Sequence, residues 1–307
     1  MIRSAWRYPV DVFRRFVWPA RGADFATPED HGLVPEPFTV TTSDGLRIRG
    51  WVFLPPGAWG MVVVCHARNA SKSRTLSHAR LLVDQGLAVV TFDFRGCGES
   101  AAPRRWWRDG LWGPLKDLDA VVRHVNTAHP GFAGRVALLG CSFGGNMAIA
   151  HAGTAGRHYP AVVLDSVPLV RWVGMLDTLL RRERRGARFR RTRAVADLLV
   201  ARAASLWTRA GPLYRHARRS VRALSGTRVL QIVGARDSLF DVEDSCRFLR
   251  EDCAGAVTVW RVPAGRHLTN HLADPDGYAI RVVSCLRDAF GAEQTIKEEA
   301  NDRNTVG

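Results

Sequence analysis

Six short, unbroken apolar runs set the fold of this chain. They are MVVVCH (61–66), LAVVTFDF (87–94), RVALLG (135–140), AVVLDS (161–166), RVLQIVG (228–234) and AVTVWRV (256–262). Each is too short for a buried helix and lacks the strict alternation of a half-solvated strand. Such runs fit strands covered on both faces, which is the environment of a parallel sheet. Segments of helical period lie between them, near 73–86, 115–127, 143–155, 242–253 and 275–290. Strand and helix therefore alternate, and the expected class is α/β with a doubly wound, mostly parallel sheet. Ahead of these, PFTVTTSDGLRIRGWVFLP reads as two strands joined by a turn at Ser43, Asp44 and Gly45.

The alternation breaks once, between Val167 and Thr227, where helical periodicity replaces a single crossover. With 307 residues the chain has room for one core and such an insertion. The expected division is an N-terminal arm at 1–35, a core at 36–167 and 223–290, an inserted arginine-rich helical cap at 168–222, and a flexible polar tail at 291–307. Within the cap, Val195, Leu198, Leu199 and Leu206 form one apolar stripe and Trp172, Met175 and Leu179 another, both read as packing faces. The arm interleaves Trp6, Val10, Phe13, Phe16 and Val17 with basic residues; packing on the core is the preferred reading and a helix lying on a membrane surface the alternative.

Charge follows the same division. Between Arg171 and Arg222 fifteen arginines face only Asp177, Glu183 and Asp197, so this segment holds twelve of the fifteen net positive charges. An anionic membrane surface is thus a candidate partner, while nucleic acid is not expected. The six cysteines are scattered without a CxxC pair, and no His or Cys set completes a zinc site, so neither disulfides nor a metal is expected. No apolar stretch reaches the ~20 residues of a membrane span. Arg7, Asp11, Arg14 and Arg15 interrupt any secretory signal, which gives a cytoplasmic expectation, peripheral at a membrane if the basic segment binds one.

The chemistry resides at Gly140-Cys141-Ser142-Phe143-Gly144, a G-x-S-x-G string placed after a buried strand and before the helical FGGNMAIAHA. That setting allows a serine on a tight strand-to-helix turn to present its hydroxyl above the sheet. A serine hydroxyl needs a base, and the base needs an orienting carboxylate. Asp237 in GARDS and His267 in PAGRH each follow a strand, and Ser142, Asp237 and His267 keep the chain order of this arrangement. His271 is the rival base; Asp241 and Asp165 are the rival acids. Trp106, Trp107 and Trp112, in the loop AAPRRWWRDGLWGPL, are candidates to wall an apolar substrate site, with anchoring of the cap as their alternative role.

Together TTSDGLRIRGWVFLP, VVVCHARNASKS, TFDFRGCGES, GCSFGG, VGARDSLF and PAGRH resemble the α/β-hydrolase superfamily, in the branch of monoglyceride lipases and serine-aminopeptidase-like esterases. The resemblance spans about Pro37 to Phe290. It implies an oxyanion hole formed by the backbone N–H groups of Arg68 and Phe143, with Ala67 as alternative to Arg68. The sequence departs from the pattern at His66-Ala67, where glycine is usual, and His66, Asp93, Arg95 and Gly96 are read as structural. The resemblance further implies hydrolysis of a carboxylic ester or thioester, a small-molecule acyl substrate and no cofactor. Peptidase or acyltransferase action would use the same three residues, and a non-catalytic basic protein bound to a membrane surface is the reading from another class.

Overall fold

The computed structural model describes residues 26–104, 112–154, 156–170 and 210–305, with side chains omitted at 210–213 and 292–305. An eight-stranded sheet runs through it: β1 (Glu36–Thr41), β2 (Arg47–Phe53), β3 (Met61–Cys65), β4 (Ala88–Phe92), β5 (Val136–Cys141), β6 (Ala161–Asp165), β7 (Arg228–Gly234) and β8 (Ala256–Val262). The spatial order is β1-β2-β4-β3-β5-β6-β7-β8. β1 pairs antiparallel with β2 and β2 with β4, while the remaining neighbours pair parallel.

Every residue of β3, β4, β5 and β6 is buried, which is why these segments read as continuous apolar runs. Their side chains alternate between two cores. Val63, Cys65, Val90, Phe92 and Leu138 face one, joined by residues of helices α2 (Gly113–Ala128), α3 (Phe143–Ala152) and α5 (Val242–Asp252). Val62, Val64, Val89, Ala137 and Leu139 face the other, against α1 (Leu76–Val83) and α7 (Pro275–Thr305). Each fully buried Val or Leu adds roughly 1.5–3 kcal/mol. β8 departs from the expectation: as the edge strand it is half-exposed along most of its length.

Two further helices complete the described chain, α4 (Ala210–Ser220) and the short α6 (Asn270–Ala273). Most of the expected cap, and residues 1–25 of the arm, lie outside the described residues; α4 is the described end of the cap segment. Leu169 and Val170, assigned to the cap, are buried, and Leu169 packs in the first core. Helix α7 continues to Thr305, past Phe290 where the apolar pattern stops, because Ala292, Glu293, Gln294, Lys297, Glu298, Glu299 and Ala300 are strong helix formers. All six cysteines are free, and among the described residues no helix is long and apolar enough to cross a membrane.

The order around β3 places the site. β4 lies on one side of β3 and β5 on the other, so the winding reverses there and leaves a crevice at the carboxyl ends of β3 and β5. Ser142 and the loop carrying Arg68 open onto that crevice end.

Candidate active site

Ser142 links the last residue of β5 to the first of α3 with φ 49° and ψ −112°, a conformation L-residues rarely adopt. Its N–H donates to the Asp165 carbonyl at 2.8 Å, and its own carbonyl accepts from Gly145 N–H at 3.0 Å. The turn fits only without side chains around it. A Cβ on Gly140 would stand 2.2 Å from the Gly145 Cα, and one on Gly144 would stand 2.2 Å from the Cys65 carbonyl oxygen. The glycines of the motif therefore let α3 sit directly on the ends of β5 and β3.

Asp237 and His267 approach from the next two strand ends. Gly234 N-terminal to the β7 turn accepts from Asp237 N–H at 3.0 Å, and Arg236 N–H donates to the Gly265 carbonyl at 3.0 Å, which ties the two loops together. His267 Nδ1 donates to Asp237 Oδ2 at 2.7 Å, and Ser142 Oγ lies 3.1 Å from His267 Nε2. The other Asp237 oxygen accepts from Leu239 N–H at 2.9 Å. The Asp237 carboxylate is wholly buried, while the imidazole keeps 19% of its surface exposed. With Nδ1–H committed to the carboxylate, Nε2 is the basic nitrogen, aimed at the hydroxyl.

Comparison with known proteins agrees with this architecture. Residues 57–178 match the model of the serine aminopeptidase S33 family. Esterase Pf2001 of Pyrococcus furiosus superposes with a TM-score of 0.71 over 89% of this chain and 97% of its own, at 21% identity. An esterase of Exiguobacterium antarcticum does so at 0.58, over 81% of this chain and 98% of its own, at 16% identity. The chain has the fold of these α/β hydrolases. Its sequence is also 31% identical to the uncharacterized protein YfhR of Salmonella typhi over 146 residues, 43% of this chain. The match spans about half of that relative, 48% of its length.

The fold brings the residues expected as oxyanion donors to the crevice end of β3 and β5. Among the described residues, the N–H groups of Phe143, Arg68 and Ala67 have no backbone acceptor. Ala67 does not take a positive φ; the loop puts that conformation on Asn69, at 58°. The alanine in the usual glycine position is thus accommodated by moving the turn. His66 accepts from Phe94 N–H at its Nε2, 3.0 Å, and directs Nδ1 to the Ala67 carbonyl at 2.7 Å, a structural role. Asp93 takes Lys72 N–H and Nζ, and Arg95 is held by Asp44 and Asp117.

The rival residues form a second, buried assembly beneath His267. Asp165 Oδ1 accepts from Asn270 Nδ2 at 2.7 Å and from Ser166 Oγ at 3.0 Å; Oδ2 accepts from the Tyr278 hydroxyl at 3.1 Å and from His78 Nε2 at 3.3 Å. Burial alone would raise the Asp165 pKa, yet the His78 hydrogen bond and charge, with the Asn270 amide, hold it below its usual value. Ser166, at φ 57°, accepts from Leu268 N–H at 3.0 Å, and Leu268 itself sits at φ 62° directly after His267. Asp165 thereby fixes the loop that carries the histidine without touching the imidazole.

His271, the rival base, hydrogen-bonds Ser77 through Nε2 at 2.8 Å and packs against His78, the rings tilted by 36° with centroids 3.7 Å apart. Burial, with the nearby charge of His78, pulls its pKa down to about 3. Among the described residues, His78, Asp165 and His271 are the one group whose atoms could share a metal ion. His271 Nε2 is already bonded to Ser77, and both Asp165 oxygens already accept two donors, so the set fits positioning better than coordination. Asp241, the other rival acid, caps α5 by accepting Asp244 N–H at 2.9 Å. Trp106 and Trp107 lie outside the described residues; Trp112 is half-buried against the first core, 5.1 Å from the His216 ring of α4.

The sequence reading missed His78, Ser166, Asn270 and Tyr278. A serine after Asp165 with a positive φ carries no sequence mark, and His78 lies on a helix with nothing around it to suggest a buried partner 87 residues away.

Proposed function

We propose that this protein is a serine hydrolase that cleaves a carboxylic ester or thioester through an acyl-enzyme on Ser142. The observation that carries the reading is the continuous relay from Ser142 Oγ to His267 Nε2 at 3.1 Å and from His267 Nδ1 to Asp237 at 2.7 Å. As Ser142 Oγ attacks the acyl carbon, His267 takes its proton and Asp237 stabilises the resulting imidazolium. The carbonyl oxygen, now an anion, lies against the free N–H of Phe143 and that of Arg68, at the positive end of α3. His267 returns the proton to the departing alcohol or thiol, then deprotonates the water that frees the acid and restores Ser142. The esterase activity named for two structural neighbours supports the substrate class.

The test is labelling with a fluorophosphonate probe beside hydrolysis of a series of 4-nitrophenyl esters. Wild type should label and turn over, and Ser142→Ala should lose all labelling and ~10³-fold or more of the turnover. Persistent labelling of the alanine variant would place the nucleophile elsewhere.

A further inference from the structure

Among the described residues, the two fully buried cations come with carboxylates. Lys72 Nζ is held by Asp93 and Glu99 at 2.8 and 2.7 Å. Arg95 is held by Asp44 and Asp117 at 2.9 and 2.7 Å. Arg68 is half-buried and differs from both. It projects from the loop after β3, its Cζ 5.5 Å from the centroid of Phe143, the residue that follows the nucleophile. Its Nε is fully buried with no hydrogen-bond partner, and among the described residues no carboxylate pairs with it.

Its polar neighbours cannot supply a countercharge. Burial pulls the Arg68 pKa below its usual value, and the nearby groups are the Tyr214 hydroxyl and the Cys97 thiol. Burial pushes each of these up to about 12, so both are neutral near pH 7. Arg68 as a whole is half-buried, so part of its fork stays accessible although Nε is enclosed. A cation desolvated without a partner is costly to hold, and the cost falls when a ligand brings the missing charge. The planar fork matches a carboxylate through two parallel hydrogen bonds.

We propose that the Arg68 side chain is the specificity determinant of this site and selects esters whose acyl part ends in a carboxylate, that is, half-esters of short dicarboxylic acids. The proposal rests on the serine-hydrolase reading above and adds the substrate class to it. The backbone of Arg68 serves the oxyanion; its side chain, reaching past Phe143, meets the far end of the acyl chain.

The experiment compares 4-nitrophenyl hemisuccinate, hemiglutarate and hemiadipate with the neutral butyrate, valerate and hexanoate, in wild type, Arg68→Gln and Arg68→Lys. Fluorophosphonate labelling of Ser142 is measured in parallel on all three proteins. Wild type should favour one of the anionic esters over its neutral counterpart by ten- to a hundredfold in kcat/KM, mainly through KM. Arg68→Gln should bring the ratio of anionic to neutral kcat/KM down to about one, and Arg68→Lys should restore part of it. Labelling with no anionic preference in wild type, or a preference kept by Arg68→Gln, overturns the proposal and leaves the serine reading standing. Absence of both labelling and turnover in wild type overturns the two together.

Discussion

Ser142 holds a strained backbone, φ 49° and ψ −112°, that serves the site and not the fold. Such strain costs about 1–3 kcal/mol, of which glycine would be relieved, less the ~0.4–1 kcal/mol that glycine loses through the unfolded chain. Ser142→Gly should therefore be more stable than Ser142→Ala by about 1 kcal/mol, read as the difference in urea midpoint, with both inactive. Equal midpoints would mean that the turn is unstrained. The two buried aspartates separate in the same way. Asp237→Asn should lose ~10⁴-fold in turnover, since the amide cannot orient and charge-balance the imidazole. Asp165→Asn puts a donor where four donors already point, and should lose about 2–4 kcal/mol of stability with a smaller effect on turnover. Denaturant melts beside kcat for both variants check this, and a turnover collapse at Asp165 with little change at Asp237 would exchange their roles. Ser142 was legible because its motif joins a strand to a helix, and Asp237 and His267 because each follows a strand. The buried assembly around Asp165 was not legible, for its members meet only through the sheet.

At the scale of elements, α3 decides the geometry. All ten of its residues are buried, and its first turn lies on the ends of β3 and β5 with no room for a methyl group. A Cβ on Gly145 would come 2.1 Å from Val167 Cγ2, whereas one on Gly140 would meet the backbone of Gly145 at 2.2 Å. Gly145→Ala should cost about 1–3 kcal/mol by overpacking and be partly rescued by Val167→Ala, while Gly140→Ala should gain nothing from that second change. A double-mutant cycle in thermal or chemical unfolding measures the coupling; its absence would mean that α3 shifts as a body. The central strands were plain in the sequence because burial on both faces leaves only apolar residues. The strand β8 read the same way yet lies at the edge, since AVTVWRV packs one face and shows the other to solvent. The extension of α7 escaped notice for the converse reason: residues that favour the helix can carry it without an apolar stripe.

Over the whole molecule, two imidazoles kept neutral by burial make stability depend on pH. Burial pulls His271 and His151 down to about 3, the charge of Arg157 adding to the effect at His151. The unfolded chain takes protons at both positions below about 6.5, and the folded one does not, so stability is complete above that value and is lost as pH falls toward 3. The loss should reach about 2 kcal/mol per histidine by pH 5. Asp165, whose pKa is also depressed, adds nothing in that window, because its contribution fades only below the ordinary carboxylate range. Urea midpoints between pH 7 and 5 should fall steeply, with a shallower slope in His151→Gln; a flat profile would contradict the buried neutral state. The relay joins residues 125 and 30 positions apart, and the segment 57–178 shared with the serine aminopeptidase family holds Ser142 but neither Asp237 nor His267. The serine's own turn can condense early from strands and a helix close in sequence, but its base must arrive from 125 residues away after β7 and β8 have docked. If the proposed relay operates, the serine emerges during synthesis long before its base can activate it, and a half-made chain carries a serine that is chemically silent.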